Sequence, residues 1–339
     1  MLSFRAPNLS GTSVQYSPFL DNRLVLGTAA NFGIVGNGKV FSLDIMNDGK
    51  LVVQSSFDTQ DSVLGVAFSE VHESHVCVAC GDGSVQLFDT TRARHPLVIM
   101  REHLQEVSSV NWSSLEKHQF CTSSWDGTVR LWTADGRPLQ VLGTPLAPSG
   151  GPRTSAAAPM NTVPQQNVVY EAKYSPHTPG LIGSAHAQGE VVAHDARSAA
   201  AVTRIRMPPG SGECLTMDWN KYRPHTVASA GSDGAIRVWD LRQPNSMLNE
   251  LTGHELAVKS VKWSPHTAEH LLSASFDMTA KVWTDSPARA PPVGPRGLIG
   301  DFTSHREFVT ACDWSLWGQP GWVATTSFDS NLFIWRAIK

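Results

Sequence analysis

The chain has 339 residues, a formal net charge of -3 and 17% charged residues. That balance leaves no basic footprint and argues against a phosphate-dominated nucleic-acid binder. No apolar run reaches the roughly 18 residues of a membrane-spanning helix, and Met1 to Pro7 lacks the apolar centre of a secretory leader, so a soluble, non-secreted protein without direct membrane insertion is expected. Five cysteines (Cys77, Cys80, Cys121, Cys214 and Cys312) are an odd, scattered set that fits free thiols in a reducing compartment.

Along the chain, the first apolar segment, Leu2 to Ala6, precedes any repeat. Gly33-Ile-Val-Gly-Asn-Gly38 has the glycines of a dinucleotide loop, but the strand Lys39 to Leu43 follows it where that motif needs a helix, so a hairpin turn is expected. Cys77-Val-Ala-Cys80 looks like a redox or zinc pair. It sits in the strand-like run Val76 to Cys80, where positions three apart face opposite sides, so a structural role is expected and no metal. Next come Val107 to Trp112, Gln119 to Ser123, Thr128 to Trp132 and Leu139 to Leu142, four short strands in succession. Gly143 to Gln166, rich in Pro, Ala and Ser, and Thr284 to Gly297, rich in Pro, have loop composition.

One short pattern recurs through all of this: a strand ending in Ser or Thr, then Asp, then a strand closing on an aromatic. The clearest copies are Cys121 to Trp132, Ala228 to Asp240, Leu272 to Trp283 and Ala324 to Trp335, with weaker ones ending at Asp44, Asp89 and Asp195. The closing positions 43, 88, 132, 194, 239, 283 and 335 are spaced by 45, 44, 62, 45, 44 and 52 residues. Four of these fall at the blade length of a WD-repeat propeller, about 40–45 residues. The expected fold is all-β, a seven-bladed propeller occupying 1–339 as a single domain, with loop insertions at 143–166 and 284–297. Because few residues follow Trp335, the segment around Leu2 to Ala6 is expected to supply the outer strand of the last blade and close the ring.

His103, His254 and His305 precede the first strands of blades three, six and seven, and Asp126, Asp277 and Asp329 occupy a turn of the same blades. With the closing Trp132, Trp283 and Trp335 they read as buried structural networks, since a His or Asp buried without partners is costly. No nucleophile elbow, phosphate loop or His-Glu-x-x-His is present; His72-Glu-Ser-His75 has the wrong spacing. No enzyme activity and no cofactor are therefore expected. The residue before the turn Asp is Trp125, Phe276 and Phe328, large apolar groups in tight turns, which suggests an aromatic platform. The loops between blades hold acids: Asp58 and Asp61, Glu102 and Glu106, Glu213, Glu255 and Glu307. Read together, the two loop sets describe a mouth apolar at its centre and negative around it, suited to a cationic amphipathic segment.

Val14-Gln-Tyr-Ser-Pro-Phe19, Asn31 to Gly38, Ser56-Phe-Asp-Thr-Gln-Asp61, Glu102-His-Leu-Gln-Glu-Val107 and Cys214-Leu-Thr-Met-Asp-Trp-Asn-Lys-Tyr222 resemble the receptors for the type 2 peroxisomal targeting signal, the peroxin-7 family. The fourth blade departs from the pattern, with Ala187-Gln-Gly-Glu190 and His194 in place of the usual Asp and Trp. The resemblance implies a receptor that binds cargo enzymes by an N-terminal signal of the form Arg-Leu-x5-His-Leu. It would deliver them with a co-receptor to the peroxisomal docking complex, shuttling between cytosol and peroxisome. On that basis Asp61 and Glu106, with Asp58 beside them, are expected to meet the signal's Arg. Glu213 and Glu307 would meet its His, and Trp125, Phe276 and Phe328 its leucines. The competing reading is a generic WD-repeat scaffold, such as a ubiquitin-ligase substrate adaptor or a histone-tail binder, which would not need those leucines.

Overall fold

The computed structural model describes residues 1–92, 95–143, 167–286 and 295–338. Residues 144–166 and 287–294, most of the two expected insertions, lie outside the described residues. The described strands form seven four-stranded antiparallel sheets, each built from consecutive strands except one. Runs of β-branched and aromatic residues broken by tight turns produce this meander. Blade 3 is representative, running from channel to rim as strand a (Val107–Trp112), b (Gln119–Ser124), c (Thr128–Thr133) and d (Pro138–Gly143). The exception is blade 7, whose strands Val309–Trp314, Trp322–Ser327 and Asn331–Arg336 are completed by Leu2–Arg5. Leu2 pairs with Ile334 and Arg5 with Asn331, so the two ends of the chain share one sheet and close the ring.

A lone four-stranded blade exposes both faces, and stacking supplies the core. Seven buried clusters are present among the described residues, and each straddles one seam between neighbouring blades. Cys77 packs into the seam between blades 2 and 3 while Cys80 packs into that between blades 1 and 2, as strand alternation requires. All five cysteines are free and buried, and burial pushes their thiols up, Cys80, Cys214 and Cys312 to about 12. Such groups are inert at neutral pH. The glycine-rich segment 30–37 connects Arg23–Ala29 to Gly38–Ile45 as a hairpin loop containing one short 3-10 turn.

Two local features shape the channel and one mouth. Every strand a carries a β-bulge near its start, as between Val63 and Gly65 or Val258 and Ser260. The extra residues Thr12, Leu64, Ser108, Tyr170, Leu215, Lys259 and Thr310 all line the central channel. Outside blade 1, whose longer b–c loop holds Asn31, Phe32, Gly33 and Gly36 at positive φ, each b–c turn places one residue there. Gly127 has φ 84° there, but blades 6 and 7 put Met278 (φ 67°) and Ser330 (φ 69°) in that position.

Candidate ligand-binding face

The d–a and b–c loops open on the same face, and in three blades a buried relay ties them together. Trp132 Nε1 donates to Thr122 Oγ1 at 2.9 Å, Thr122 Oγ1 meets His103 Nε2 at 2.8 Å, and His103 Nδ1 meets Asp126 Oδ2 at 2.8 Å. Trp283, Ser273, His254 and Asp277 repeat it with 2.8, 2.7 and 2.7 Å contacts, and Trp335, Thr325, His305 and Asp329 with 3.2, 3.0 and 3.3 Å. The indole can only donate, so the proton order runs Trp to hydroxyl to a neutral imidazole, whose Nδ1 proton faces the carboxylate. Burial lowers His103 and His254, consistent with neutral rings. Burial acts to raise Asp126, Asp277 and Asp329, but hydrogen bonds from the imidazole and the turn overcome it and hold all three low, Asp329 at about 2. Each Asp also accepts the backbone N–H of the residue after the His: Leu104 at 3.1 Å, Glu255 at 3.1 Å and Arg306 at 2.9 Å. One carboxylate thus fixes both loops of its blade. Blade 5 keeps Trp239 and Ser229, at 2.8 Å, but Met207 Sδ takes the hydroxyl proton at 3.4 Å. In blade 4 His186 on strand b serves Ser184 at 2.8 Å, and burial drops His186 to about 3.

With the loops fixed, their apolar side chains form a contact chain. Phe276 stacks on Phe308 with ring centroids 4.9 Å apart, Phe308 approaches Phe328 at 6.2 Å, and Phe328 approaches Phe32 at 5.7 Å. This ribbon crosses blades 6, 7 and 1. Phe32 is 54% exposed and Phe308 36%, and exposed Leu256 and Met278 lie in the same loops. Trp125 is 40% exposed in blade 3, beside exposed Leu104. A contiguous apolar patch of this kind marks an interaction surface.

The acids do not share one offset. Backbone bonds define equivalent positions: Trp125 N–H reaches Glu106 O, Ser232 reaches Glu213, Phe276 reaches Ala257, Phe328 reaches Phe308 and Gly81 reaches Ser62. Only Glu106 and Glu213 occupy that position; Asp61 and Glu307 precede it by one residue and Glu255 by two. Their partners differ as well. Asp58 lies in strand d of blade 1 and pairs with Lys39 at 3.1 Å. Asp61 caps its own turn through Ser62 N–H at 2.6 Å. Glu213 accepts from the Tyr170 phenol, which burial first and the Glu213 charge second push up to about 12, and it lies in the field of Lys259, whose ammonium sits 5.7 Å from the Tyr170 ring. Glu307 is exposed, and its carbonyl holds Ser327 Oγ at 2.9 Å. Glu106 is half-buried next to Trp125, and its carboxylate has no hydrogen bond or ion pair among the described residues. In blade 2, Gly81 stands where blade 3 has Trp125. A Cβ there would lie 2.6 Å from Ser62 Oγ and 3.0 Å from Asp61 Oδ1, so the Ser62 hydroxyl and the Asp61 carboxylate pack against the glycine where a side chain would clash.

The comparisons with known proteins agree with this architecture. The family model "WD domain, G-beta repeat" matches residues 94–133, 202–240 and 245–284. The chain is 40% identical to the peroxisomal targeting signal 2 receptor of Saccharomyces cerevisiae over 379 aligned positions, covering 100% of both chains. The chain belongs to the peroxisomal targeting signal 2 receptor family. The receptor of Mus musculus is 35% identical, with 99% of this chain and 96% of that one covered. That of Homo sapiens is 35% identical over 90% and 86%. This is a receptor family, and no helix among the described residues is long and apolar enough to cross a membrane.

Within that family frame, the expected site residues separate into groups. Phe276 and Phe328 belong to one ribbon, Trp125 and Glu106 are neighbours in blade 3, and Asp58 lies apart on the outer strand of blade 1. The mouth differs from the expected apolar centre ringed by charge. Its centre is the bulge ring, which includes Lys259, Tyr170 and Ser108, while the aromatic ribbon lies off-centre over blades 6, 7 and 1. Phe308, Phe32, Met278 and Leu256 were not expected. Aligning the last d–a loop residue of each repeat would have found Phe308, because it stands where blade 3 has Glu106.

Proposed function

We propose that this chain binds the N-terminal type 2 targeting signal of peroxisomal matrix enzymes as an amphipathic helix. It delivers that cargo with a co-receptor to the peroxisomal docking complex, moving between cytosol and peroxisome. The observation that carries the reading is the pairing in blade 3 of Glu106, a partly buried carboxylate without a partner among the described residues, with exposed Trp125. A signal of the form Arg-Leu-x5-His-Leu repeats after seven residues, close to two helical turns, which sets its basic and apolar residues on one face. In this assignment the signal's Arg lies at Glu106, with Asp61, packed beside Gly81, as its second acid. Trp125 and the ribbon of Phe276, Phe308 and Phe328 take the leucines. Glu213, already engaged by Tyr170 and close to Lys259, is a weaker partner for the signal's His than Glu307.

The test is fluorescence anisotropy of a labelled Arg-Leu-x5-His-Leu peptide against the full chain with its candidate co-receptor. Leaving one side of a desolvated charge pair unmatched costs about 2–5 kcal/mol, so Glu106→Lys is expected to weaken binding by roughly thirtyfold or more. Changing both leucines to serine should abolish binding. Binding that survives Glu106→Lys, or that tolerates loss of the leucines, would contradict the assignment.

A further inference from the structure

On the opposite face of the ring the a–b loops surround a mouth of about 280 Å³, lined from all seven blades. Each loop follows the aromatic that closes strand a, and the third residue past that aromatic is an equivalent position around the ring. In four successive blades its side chain donates to a backbone carbonyl of the next loop. His177 Nε2 donates to Asn220 O at 2.9 Å, Tyr222 Oη to Pro265 O at 2.5 Å, His266 Nε2 to Ser315 O at 2.8 Å and Trp317 Nε1 to Ser17 O at 2.9 Å. These latches tie blades 4, 5, 6, 7 and 1 in sequence. Blades 1, 2 and 3 instead carry Phe19, Val71 and Leu115, whose side chains have no donor. Phe19 is 37% exposed and Leu115 43%, with Val71 half-buried between their loops.

Charge divides the mouth along the same line. The a–b loops of blades 1–3 hold four acids, Asp21, Glu70, Glu73 and Glu116, against one lysine, Lys117; those of blades 4–7 hold Lys221, Arg223 and Glu269. Glu116 accepts the Gly180 N–H at 3.2 Å. The carboxyl groups of Asp21, Glu70 and Glu73 make no hydrogen bond or ion pair among the described residues. The three loops also lie in one another's fields. Arg23 at the end of the blade 1 loop, raised chiefly by its bond to Asp44, is raised further by Glu73 of blade 2. Burial raises the Glu70 carboxyl, and the Lys117 ammonium of blade 3 opposes that. Glu70 lines the mouth together with Pro18 and Ser114, its counterparts in the flanking blades. A half-buried acid short of a cation thus sits between two exposed apolar side chains.

We infer that the a–b loops of blades 1–3 form a second protein-docking surface, whose partner is a basic amphipathic segment that covers Phe19 and Leu115 with its apolar side chains and sets its cations at Glu70, Glu73 and Asp21. Apolar groups rimmed by uncompensated charge of one sign are complementary to that chemistry and to little else. An anionic bilayer would find the apolar groups but be repelled by the carboxylates. A second copy of the chain, meeting this arc about a two-fold axis, would set acid against acid. The surface lies on the face away from the proposed signal site, so both can be occupied at once.

The probe is a helical peptide with leucines along one face flanked by lysines, beside one counterpart with glutamates for the lysines and one with serines for the leucines. Each is added to the purified full chain and hydrogen–deuterium exchange is read by mass spectrometry. The basic peptide is expected to slow exchange severalfold in residues 17–22, 69–74 and 113–118, and neither counterpart to do so. Glu73→Lys combined with Leu115→Ser should raise the peptide concentration needed for that protection about tenfold while leaving any protection of the d–a and b–c loops unchanged. Both substitutions are at exposed positions, and an unchanged melting temperature establishes that the variant is folded; if it is not, Asp21→Lys alone decides. No protection of these three segments, equal protection by the glutamate counterpart, or wild-type protection in a folded variant would overturn the inference. So would phosphatidylserine vesicles protecting the same segments as well as the peptide does, or dimerisation of the chain alone that protects them, since the occupant would then be a membrane or a second copy.

Discussion

At the scale of single residues, the buried relays link stability to the binding face. Replacing Thr122 by Val would strand the Trp132 indole and His103 Nε2 at once. The expected cost is about 1–3 kcal/mol, the price of leaving buried donors and acceptors unmet, and urea unfolding would measure it. The relays also set a pH dependence. His103 and His254 have folded pKa values lowered chiefly by burial, so the unfolded chain takes up their protons first. Their contribution is complete above the unfolded value of about 6.5 and is lost as pH falls below it. Asp329 adds a second loss between its unfolded value of about 3.9 and its folded value of about 2. The unfolding free energy should therefore decline from about pH 6.5 downward, and His254→Gln should flatten part of that slope. The His and Asp positions were legible from offsets that repeat along the chain. Phe308 and Phe32 were not, because the d–a and b–c loops differ in length and their equivalence appears only when backbone bonds pair the loops.

Met278 connects the residue and element scales. Its φ of 67° is the left-handed conformation that blade 3 gives to a glycine, and it costs a non-glycine residue of order 1–2 kcal/mol. An exposed methionine held there beside Phe276 is strain placed at the proposed binding face. Met278→Gly is expected to raise thermal stability while weakening signal binding severalfold; unchanged binding would remove Met278 from the site. Among whole elements, Leu2–Arg5 is the strand whose loss should be felt most. Deleting residues 1–8 would leave Asn331–Arg336 paired only with Trp322–Ser327, exposing its other edge and uncovering Leu332 and Ile334. A melting temperature lower by several degrees and a rise in self-association by light scattering are the expected results. That strand was legible because the last repeat stops one strand short. The bulge that opens every strand a was invisible, since one extra residue per strand leaves the alternation of apolar positions ambiguous over so short a run.

For the whole molecule, the repeat period carried the architecture, because each four-stranded blade must bury its faces against two neighbours and a closed ring gives every blade both. What the period did not carry was the division of the binding face. Acids appear at several loop offsets, and only the fold reveals that Asp58 pairs with Lys39, Glu213 with Tyr170, and Glu106 with nothing described. The central claim is that the signal helix lies across the d–a and b–c loops, its cation at blades 2 and 3 and its leucines on the aromatics. Photo-crosslinking tests this most directly, using signal peptides that carry a benzoylphenylalanine at either leucine position, bound to the full chain with co-receptor and mapped by mass spectrometry. Crosslinks at Trp125 or along Phe276, Phe308 and Phe328 are predicted. Crosslinks confined to the a–b loops around Phe19, Leu115 and Trp317 would place the signal on the opposite face and contradict the account.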